Sequence, residues 1–363
     1  MAPIKSSLAR TVGKLLGVQK DTDLSLRGDV QSSRVDPPPP VDATGGTTYT
    51  IGDYKYHIYQ QPQTGGTFNV STGGAGEILV LSGAGAGAPD QMGGGGGGAV
   101  VFTNNPVTLE AVNYPITVGS GGASGPYSQY GAGQKGQNSV FGSSPQNIYL
   151  IALGGGGARN PVSLPQAFAD NAGCGGGGGN GVSSGFPASQ PSQPQTAPTP
   201  VVSTGFQGGA HPGNAAGNAS GSAGGGGGAG TVGRHGGPPA PAPTRGVGGD
   251  GYQVPSDFLP TDAPGAMATT LGGIPTSDPA WRYFGAGGGG ADNNNNGGSG
   301  RGFGAPGGLG NPGGRGCVDP GPGGIPGSDG TDHRAGGGGG GSTHGGIGGA
   351  GGDGIVMIRY KYQ

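Results

Sequence analysis

Oligoglycine runs are the feature that most constrains what this chain can fold into. Of its 363 residues, 96 are glycine and 33 are proline. Glycine loses more backbone entropy on folding than any other residue, so a long ordered run is costly. The six-residue runs at 93–98 and 336–341 therefore belong either to a flexible linker or to a structure in which main-chain atoms pack directly against each other.

Some of the glycine-rich tracts have a period of three. Over 345–354, glycine recurs at every third position and leaves Ile347, Ala350 and Asp353 in one phase, and 304–316 has the same period. A period of three is the turn of a polyproline-II-type helix, which has no internal hydrogen bonds. Because each N–H and C=O still needs a partner, the tracts fit either collagen or a bundle of bare helices bonded to one another. Only four or five triplets occur before the phase slips, so the sequence favours the bundle.

Ordinary strand signals are concentrated in residues 46–153. Short segments rich in β-branched and aromatic residues alternate there with Gly, Pro and Asn, which is typical of a small antiparallel sandwich or meander. The segments are 54–60, 66–71, 77–83, 99–104, 114–119, 139–142 and 147–154.

The chain ends in one more strand-like segment, 354–362. Val356, Ile358 and Tyr360 alternate with residues that include Arg359 and Lys361, which gives one apolar face and one partly charged face. A lone strand is not stable in water, so we expect this segment to rejoin the sheet built by 46–153.

The predicted fold class is therefore all-β. We expect a small antiparallel β-sandwich closed by the C-terminal strand, with a large Gly-rich insertion of packed polyglycine-II-like helices and loops, and a short N-terminal helix or arm. The predicted domains are an anchoring arm with a Pro spacer at 1–45, a β core at 46–153, the Gly-rich region at 154–353 and the closing strand at 354–363.

The arm has its own pattern. Apolar residues recur at helical spacing among basic ones, and Pro37 to Pro40 favour a semi-rigid polyproline II spacer. So short a helix is not stable alone, so we expect it to dock on a partner surface or on a membrane. The predicted anchoring residues are Leu8, Arg10, Val12, Lys14, Leu15, Leu16, Leu24, Leu26 and Arg27.

The sequence offers no pattern typical of catalysis or of metal binding. The five histidines have no ligand spacing, and we interpret Asp332, His333 and Arg334 as a solvated loop. Cys174 and Cys317 are far apart, so we expect free thiols, although one disulfide is possible. We predict no enzyme and no cofactor. A net charge of −2 predicts no nucleic-acid partner.

The order of several motifs resembles the glycine-rich domain of bacteriophage tail-fibre and other virion proteins. The motifs are "GEILVLSGAGAGAPDQMGGGGGGAVVF", "YPITVGSGG", "GQNSVFG", "IALGGGGA" and the ending "GGAGGDGIVMIRY". The arm "KSSLARTVGKLLGV" is similar to N-terminal peptides of marine phage and cyanophage structural proteins. This resemblance implies attachment of residues 1–35 to other virion proteins, a location on the virion surface, and a homo-oligomer, trimers being common in such appendages.

A related architecture, the receptor-binding tip of T-even-type phage fibres, implies that glycine runs are scaffold and that the segments between them contact the host. On this basis we expect an adhesin for a host glycan or outer-membrane protein. A capsid or neck decoration protein and a flexible coat protein are the alternatives. The predicted contact residues are Phe186, Phe206, Phe258, Trp281, Tyr283, Asn293 and Asn294, because aromatic side chains are rigid and amphipathic.

Overall fold

A computed structural model describes most of the chain beyond the arm. The described residues are 40–61, 66–89, 93–125, 131–158, 172–179, 201–211, 222–237, 246–291, 313–317, 324–342 and 345–362. The predicted N-terminal helix and all nine anchoring residues lie outside these ranges. Within them the protein consists of antiparallel sheets and extended glycine-rich segments, with one short α-helix, so the all-β prediction is confirmed.

Fourteen strands occur in the described residues. Their bounds are β1 Asp42–Thr44, β2 Thr47–Ile51, β3 Tyr54–Gln60, β4 Gly66–Thr72, β5 Gly74–Leu81, β6 Val100–Thr103, β7 Val107–Leu109, β8 Asn113–Thr117, β9 Ser139–Gly142, β10 Tyr149–Ala152, β11 Val201–Thr204, β12 Tyr252–Gln253, β13 Tyr283–Phe284 and β14 Ile355–Lys361.

Two of the sheets form a sandwich. The first sheet has the order β1-β4-β8-β9-β10, and the second has the order β11-β6-β5-β14-β3-β2, with β7 also paired to β5. Alternate residues of their strands, such as Phe68, Val80 and Phe141, meet in one buried apolar core. The strand signals of 46–153 thus produce the predicted sandwich, although β1 lies earlier in the chain and β11 lies much later.

The C-terminal strand lies inside the second sheet. β14 pairs antiparallel with β3 on one side and with β5 on the other, so that Ile358 lies opposite both His57 and Ile78. Val356, Ile358 and Tyr360 face the core between the sheets. The prediction that the closing segment rejoins the early sheet is confirmed.

The other face of β14 is buried as well, which the sequence did not suggest. Residues 252–284 form a lobe that covers this face, and Ile355 and Met357 pack into it. The lobe contains β12, β13, the helix α1 (Gly265–Thr270) and a 3₁₀ turn at Pro279–Arg282. Arg359 is only 4% exposed. Its guanidinium bonds the Glu77 carboxylate and the Asp257 carbonyl oxygen.

Arg334 joins this lobe to the glycine-rich part, and the interpretation of its surroundings as a solvated loop is wrong at this position. Its side chain is fully buried. The Nε–H donates to the Leu271 carbonyl at 2.6 Å, and Nη1 donates to the Trp281 carbonyl at 2.8 Å. The guanidinium also lies 5.0 Å from the centroid of the Phe284 ring, a favourable cation–π arrangement. Burial lowers the pKa of Arg334 to about 10, which leaves it charged at neutral pH.

His57 lies between the two sheets, and we expect its protonation to destabilise the protein. A carbonyl can only accept, so Nδ1–H donates to Gly45 O at 2.6 Å and Nε2 accepts from the Tyr360 hydroxyl at 2.9 Å. Burial lowers the pKa of His57 from its ordinary 6.5; the bond to Gly45 opposes this, and the charge of Lys55 adds to it. A lowered folded-state pKa means that the stabilisation is fully present above about pH 6.5 and is lost as the pH falls through the folded value.

Denaturant unfolding at several pH values tests this expectation. The free energy of unfolding should fall more steeply below pH 6.5 for the wild type than for His57→Gln, whose amide can still donate and accept but does not titrate. Parallel pH profiles for the two proteins would contradict the assignment of the acid sensitivity to His57.

The glycine-rich part is a lattice of parallel and antiparallel extended segments, which we call rods. Fifteen rods occur in the described residues: 82–88, 93–99, 118–125, 131–138, 153–158, 172–179, 205–211, 222–230, 231–237, 246–251, 285–291, 313–317, 324–331, 335–342 and 345–354. Four of them, 82–88, 93–99, 118–125 and 131–138, lie within the region predicted to be β core. The predicted division at 153 therefore does not separate sheet from lattice.

A rod in the lattice interior is hydrogen-bonded to six neighbouring rods, and the partner rod repeats every three residues along the chain. In rod 93–99, Gly95 N–H donates to Gly338 O at 2.8 Å, Gly96 to Gly156 O at 2.8 Å and Gly97 to Gly227 O at 2.9 Å; then the order repeats. The carbonyls of the same rod accept from three further rods, 82–88, 172–179 and 285–291. Each residue therefore points at a different neighbour, as a threefold helix requires.

In rods at the edge of the lattice, burial follows the three-residue repeat of the sequence. In rod 231–237, Gly233 and Gly236 are buried and the two residues before each of them are exposed. In rod 345–354, beyond the exposed first residue Gly345, two glycines of each triplet are buried, and the residues that share one phase, Ile347, Ala350 and Asp353, reach the surface. A rod that packs against neighbours on more sides thus has more glycines in each triplet.

Side chains complete the hydrogen bonds at this border by a recurring two-point contact, which we call a clamp. Gly330 N–H donates to Ala350 O at 2.9 Å, while Asp329 Oδ1 accepts from Ala350 N–H at 2.7 Å. Ser328 makes the same contact with Arg315: its N–H donates to Arg315 O at 2.9 Å, and its hydroxyl oxygen accepts from Arg315 N–H at 2.6 Å. Such clamps supply acceptors where no further rod is present, which satisfies the rule that backbone donors are paired.

Candidate functional site: an exposed face on two rods

Two neighbouring border rods, 205–211 and 231–237, form the most distinctive exposed face of the described lattice. They run in the same direction. Gly233 N–H donates to Gln207 O at 3.0 Å and Gly236 N–H donates to Ala210 O at 2.9 Å. Because these bonds fix the register, residues 206 and 207 lie level with residues 232 and 233.

The face combines apolar and cationic side chains. Phe206 is 39% exposed and Val232 is 49% exposed, and Gln207, Arg234 and His235 are exposed beside them. Neither rod contains Asp or Glu, so the two rods themselves contribute only the positive charge of Arg234 to the face. A guanidinium binds carboxylate or phosphate through paired donors, and an aromatic ring offers a flat apolar surface. The face is therefore suited to binding an anionic, partly apolar surface.

A clamp fixes the two rods to each other at His235. The Nδ1 atom of His235 accepts from Ala210 N–H at 2.7 Å. The neighbouring His211 is 6% exposed, and burial lowers its pKa from the ordinary 6.5. Within the described residues, Nδ1 of His211 has no hydrogen-bond partner.

The predicted contact residues are not all brought to this face. Phe206 lies on it. The expectation that Phe258 and Trp281 are exposed is wrong, since they are 0% and 1% exposed in the lobe that covers β14. Tyr283 is half-buried in β13. Three predicted contacts lie outside the described residues: Phe186, Asn293 and Asn294.

Val232, Arg234 and His235 were not predicted as contacts. Their signal in the sequence is the pair of triplets Thr-Val-Gly and Arg-His-Gly at 231–236, in which a single glycine marks a rod covered on few sides. The aromatic residues of the lobe looked more exposed only because a segment rich in Pro, Asp and Ser resembles a surface loop.

The described ranges contain no metal-binding cluster, no membrane-spanning helix and no disulfide between the two cysteines. No group of three or more His, Cys, Asp or Glu side chains is arranged to hold a metal ion there. Of the helices found in those ranges, none is long and apolar enough to cross a membrane. Cys174 and Cys317 are not joined by a disulfide, as predicted, and burial raises the pKa of the Cys174 thiol to about 12.

Comparison with known proteins gives a family but no curated relative. The model of a family described as a glycine-rich domain matches residues 61–361, most of the chain, and the protein belongs to that family. No curated protein matches the sequence.

Proposed function

We propose that this member of the glycine-rich domain family is a bacteriophage virion structural protein, anchored by its N-terminal arm, that attaches the particle to its host. In this role the glycine lattice is a rigid scaffold for surface residues. The face of Phe206, Gln207, Val232, Arg234 and His235 contacts a host glycan or an outer-membrane protein, and no catalysis is involved.

The observation that supports this proposal most is that the sheets and the glycine lattice lie at opposite ends of the described body, residues 41–362. Asp42 pairs with Thr72, and Lys361 pairs with Tyr54, both at the end of the sheets away from the lattice. The rods begin where the strands end at the opposite side, as at Leu81–Ser82 and Thr117–Val118, and a seven-residue rod extends about 22 Å further at 3.1 Å per residue. Such an arrangement within residues 41–362 suits a body that displays its lattice away from its sheets.

Competition for host adsorption tests the proposal. Full-length protein incubated with host cells should reduce subsequent phage adsorption. The double variant Phe206→Ala/Arg234→Ala should need about tenfold more protein for the same effect, since a few aromatic and Arg residues commonly dominate an interface. The matched control is Ile325→Ala/Arg315→Ala, which removes one exposed apolar and one exposed basic residue from other border rods.

The possible outcomes separate the alternatives. Equal competition by the two double variants would remove this face from the host contact. An absence of any competition by the wild type would refute the adhesin role and leave the two alternatives, a capsid or neck decoration protein and a coat protein without a recognition role. Deleting residues 1–35 should abolish incorporation into particles, and normal incorporation would contradict anchoring by the arm.

A further inference from the structure

We infer that copies of this chain associate head to tail. The face on rods 205–211 and 231–237, which we call the basic face, docks against an acidic face on rods 324–331 and 345–354 of the next copy. The two faces carry exposed apolar pairs and opposite charges at matching spacing, and they lie on opposite sides of the lattice. The inference goes beyond the proposed function, because the partner is a second copy of the chain.

The acidic face is built like the basic one, from two neighbouring border rods that run in the same direction. Gly327 N–H donates to Ile347 O at 2.9 Å, and Gly330 N–H donates to Ala350 O at 2.9 Å. Ile325 and Ile347 therefore lie at the same end of the face.

Each face carries a pair of exposed apolar side chains. Among the described residues, the four large hydrophobic side chains with the highest exposure are Val232 at 49%, Ile325 at 44%, Ile347 at 42% and Phe206 at 39%. Two belong to the basic face and two to the acidic face. Exposed apolar groups that are gathered in this way, rather than scattered singly, are typical of a surface that a partner covers.

The charges of the two faces are opposite. Arg234 and His235 are exposed on the basic face, whereas Asp329 and Asp332 are exposed on the acidic face, whose two rods contain no Lys or Arg. Arg315, on a neighbouring rod, is bonded by the residue before Asp329 and so lies on the other flank. Opposite charge favours the basic face of one copy against the acidic face of another and disfavours contact between two like faces.

Both sides of the contact have hydrogen-bonding atoms to offer. His235 Nδ1 accepts from Ala210 N–H, so the neutral ring carries its proton on Nε2. This Nε2–H and the guanidinium of Arg234 are donors. Asp329 uses Oδ1 to accept from Ala350 N–H at 2.7 Å, which leaves its second oxygen to accept from the partner.

The apolar and charged groups have the same spacing on the two faces. Val232 lies three residues before His235 on its rod, and Pro326, which precedes the residue bonded to Ile347, lies three residues before Asp329. Three residues correspond to about 9 Å along a rod. When the rods of two copies run in the same direction, the apolar pairs therefore meet where the charged groups meet.

The two faces point away from each other. Both rods of the basic face bond rod 222–230, whereas rod 345–354 of the acidic face bonds rod 82–88. Rods 222–230 and 82–88 are three positions apart among the six neighbours of rod 93–99, so they lie on its opposite flanks. A contact between two such faces does not close in a dimer, so further copies add to the row, and only the copy at one end keeps its basic face free.

Sedimentation velocity of the full chain tests the inference. The mean mass should rise beyond that of a dimer from about 1 µM to about 100 µM, a range in which weak contacts dissociate. It should fall at high salt, because exposed charges are screened. A monomer at every concentration, or a dimer that does not grow further, would overturn the inference.

Two variants test the assigned charges. Arg234→Gln and Asp329→Asn should each weaken association about tenfold, and asparagine keeps the Oδ1 acceptor that bonds Ala350 N–H. The double variant should be little weaker than either single variant, since the two charges act on each other. Lys361→Ala, which removes an exposed charge at the far end of the sheet, should associate like the wild type.

Other occupants of the two faces give other outcomes. Association that is unchanged in Asp329→Asn would exclude the acidic face and overturn the inference. Association that is lost when residues 1–35 are deleted, but kept in Arg234→Gln, would assign self-association to the arm and overturn it as well.

The proposed host contact and this contact share the basic face, and adsorption assays separate them. Competition is measured below the concentration at which copies associate, where Asp329→Asn should compete like the wild type. A protein that forms rows but does not compete would refute the proposed function alone. A protein that competes but remains a monomer at every concentration would refute only the head-to-tail contact.

Discussion

Replacing Gly95 by alanine is expected to destabilise the protein by about 3 kcal/mol or more, a large part of the total stability of a domain. A Cβ at Gly95 would lie well inside 3.0 Å of the Gly85 carbonyl oxygen. That carbonyl accepts from Gly338 N–H at 3.0 Å, and Gly85 N–H donates to Gly96 O at 2.8 Å. Because the obstacle is backbone bonded on several sides, a whole rod must move to relieve the clash. The free energy of unfolding in denaturant measures the loss.

Two features of the molecule serve as controls for this prediction. Gly265, at the start of α1, has nothing within 4 Å of an added Cβ, so Gly265→Ala should be neutral or stabilise by up to about 1 kcal/mol. The interior rod 82–88 carries three fully buried alanines at 84, 86 and 88, which shows that only particular positions exclude a methyl group. If Gly95→Ala unfolds at the same denaturant concentration as the wild type, the rods do not pack as closely as described.

Ending the chain at Gly354 is expected to abolish folding. This truncation removes β14, which lies between β3 and β5, and with it five apolar side chains that are at most 1% exposed: Ile355, Val356, Met357, Ile358 and Tyr360. Burial of one such side chain contributes about 1.5–3 kcal/mol, so the sum is comparable to the whole stability of a typical domain. The truncation removes apolar side chains from both hydrophobic cores, because β14 packs against the first sheet on one face and against the lobe on the other.

Circular dichroism and amide exchange would measure this effect. The truncated chain should lose its strand signal and the slow exchange of rods 82–88 and 93–99, which continue from β5 and lead into β6. The control is Lys361→Ala, which removes only an exposed ion pair with Asp53 at 3.2 Å and should cost less than about 1 kcal/mol. Slow exchange in these rods without β14 would show that the lattice folds independently of the sheet.

Much of the fold follows from local pattern. The alternation in 354–362 predicted a strand that must pair, and β14 pairs on both sides. The three-residue period predicted bare rods bonded to each other, and Ile347, Ala350 and Asp353 indeed share the outer side of one rod. These features are readable because period two and period three each fix which residues face the same way.

The exposure of the candidate contact residues was predicted less well from the sequence. Phe206 remains a surface residue, whereas Phe258 and Trp281 turn inward and Arg334 is buried among carbonyls. Nothing local distinguishes these cases, since each residue sits near glycine or proline. Their burial depends on residues 252–284 folding back over β14, a contact made across about a hundred residues of sequence.

The sequence by itself determined the conformation of each segment: alternation specified strands, and glycine at every third position specified rods with one, two or three inward sides. Only the tertiary structure decided which rods become neighbours, which strand faces are covered twice and which aromatic residues reach the surface. The physical reason is that glycine carries no side chain to mark its partner. A bare rod can hydrogen-bond any other bare rod equally well, so its neighbours are chosen by the sheet and lobe that hold the rod ends in place.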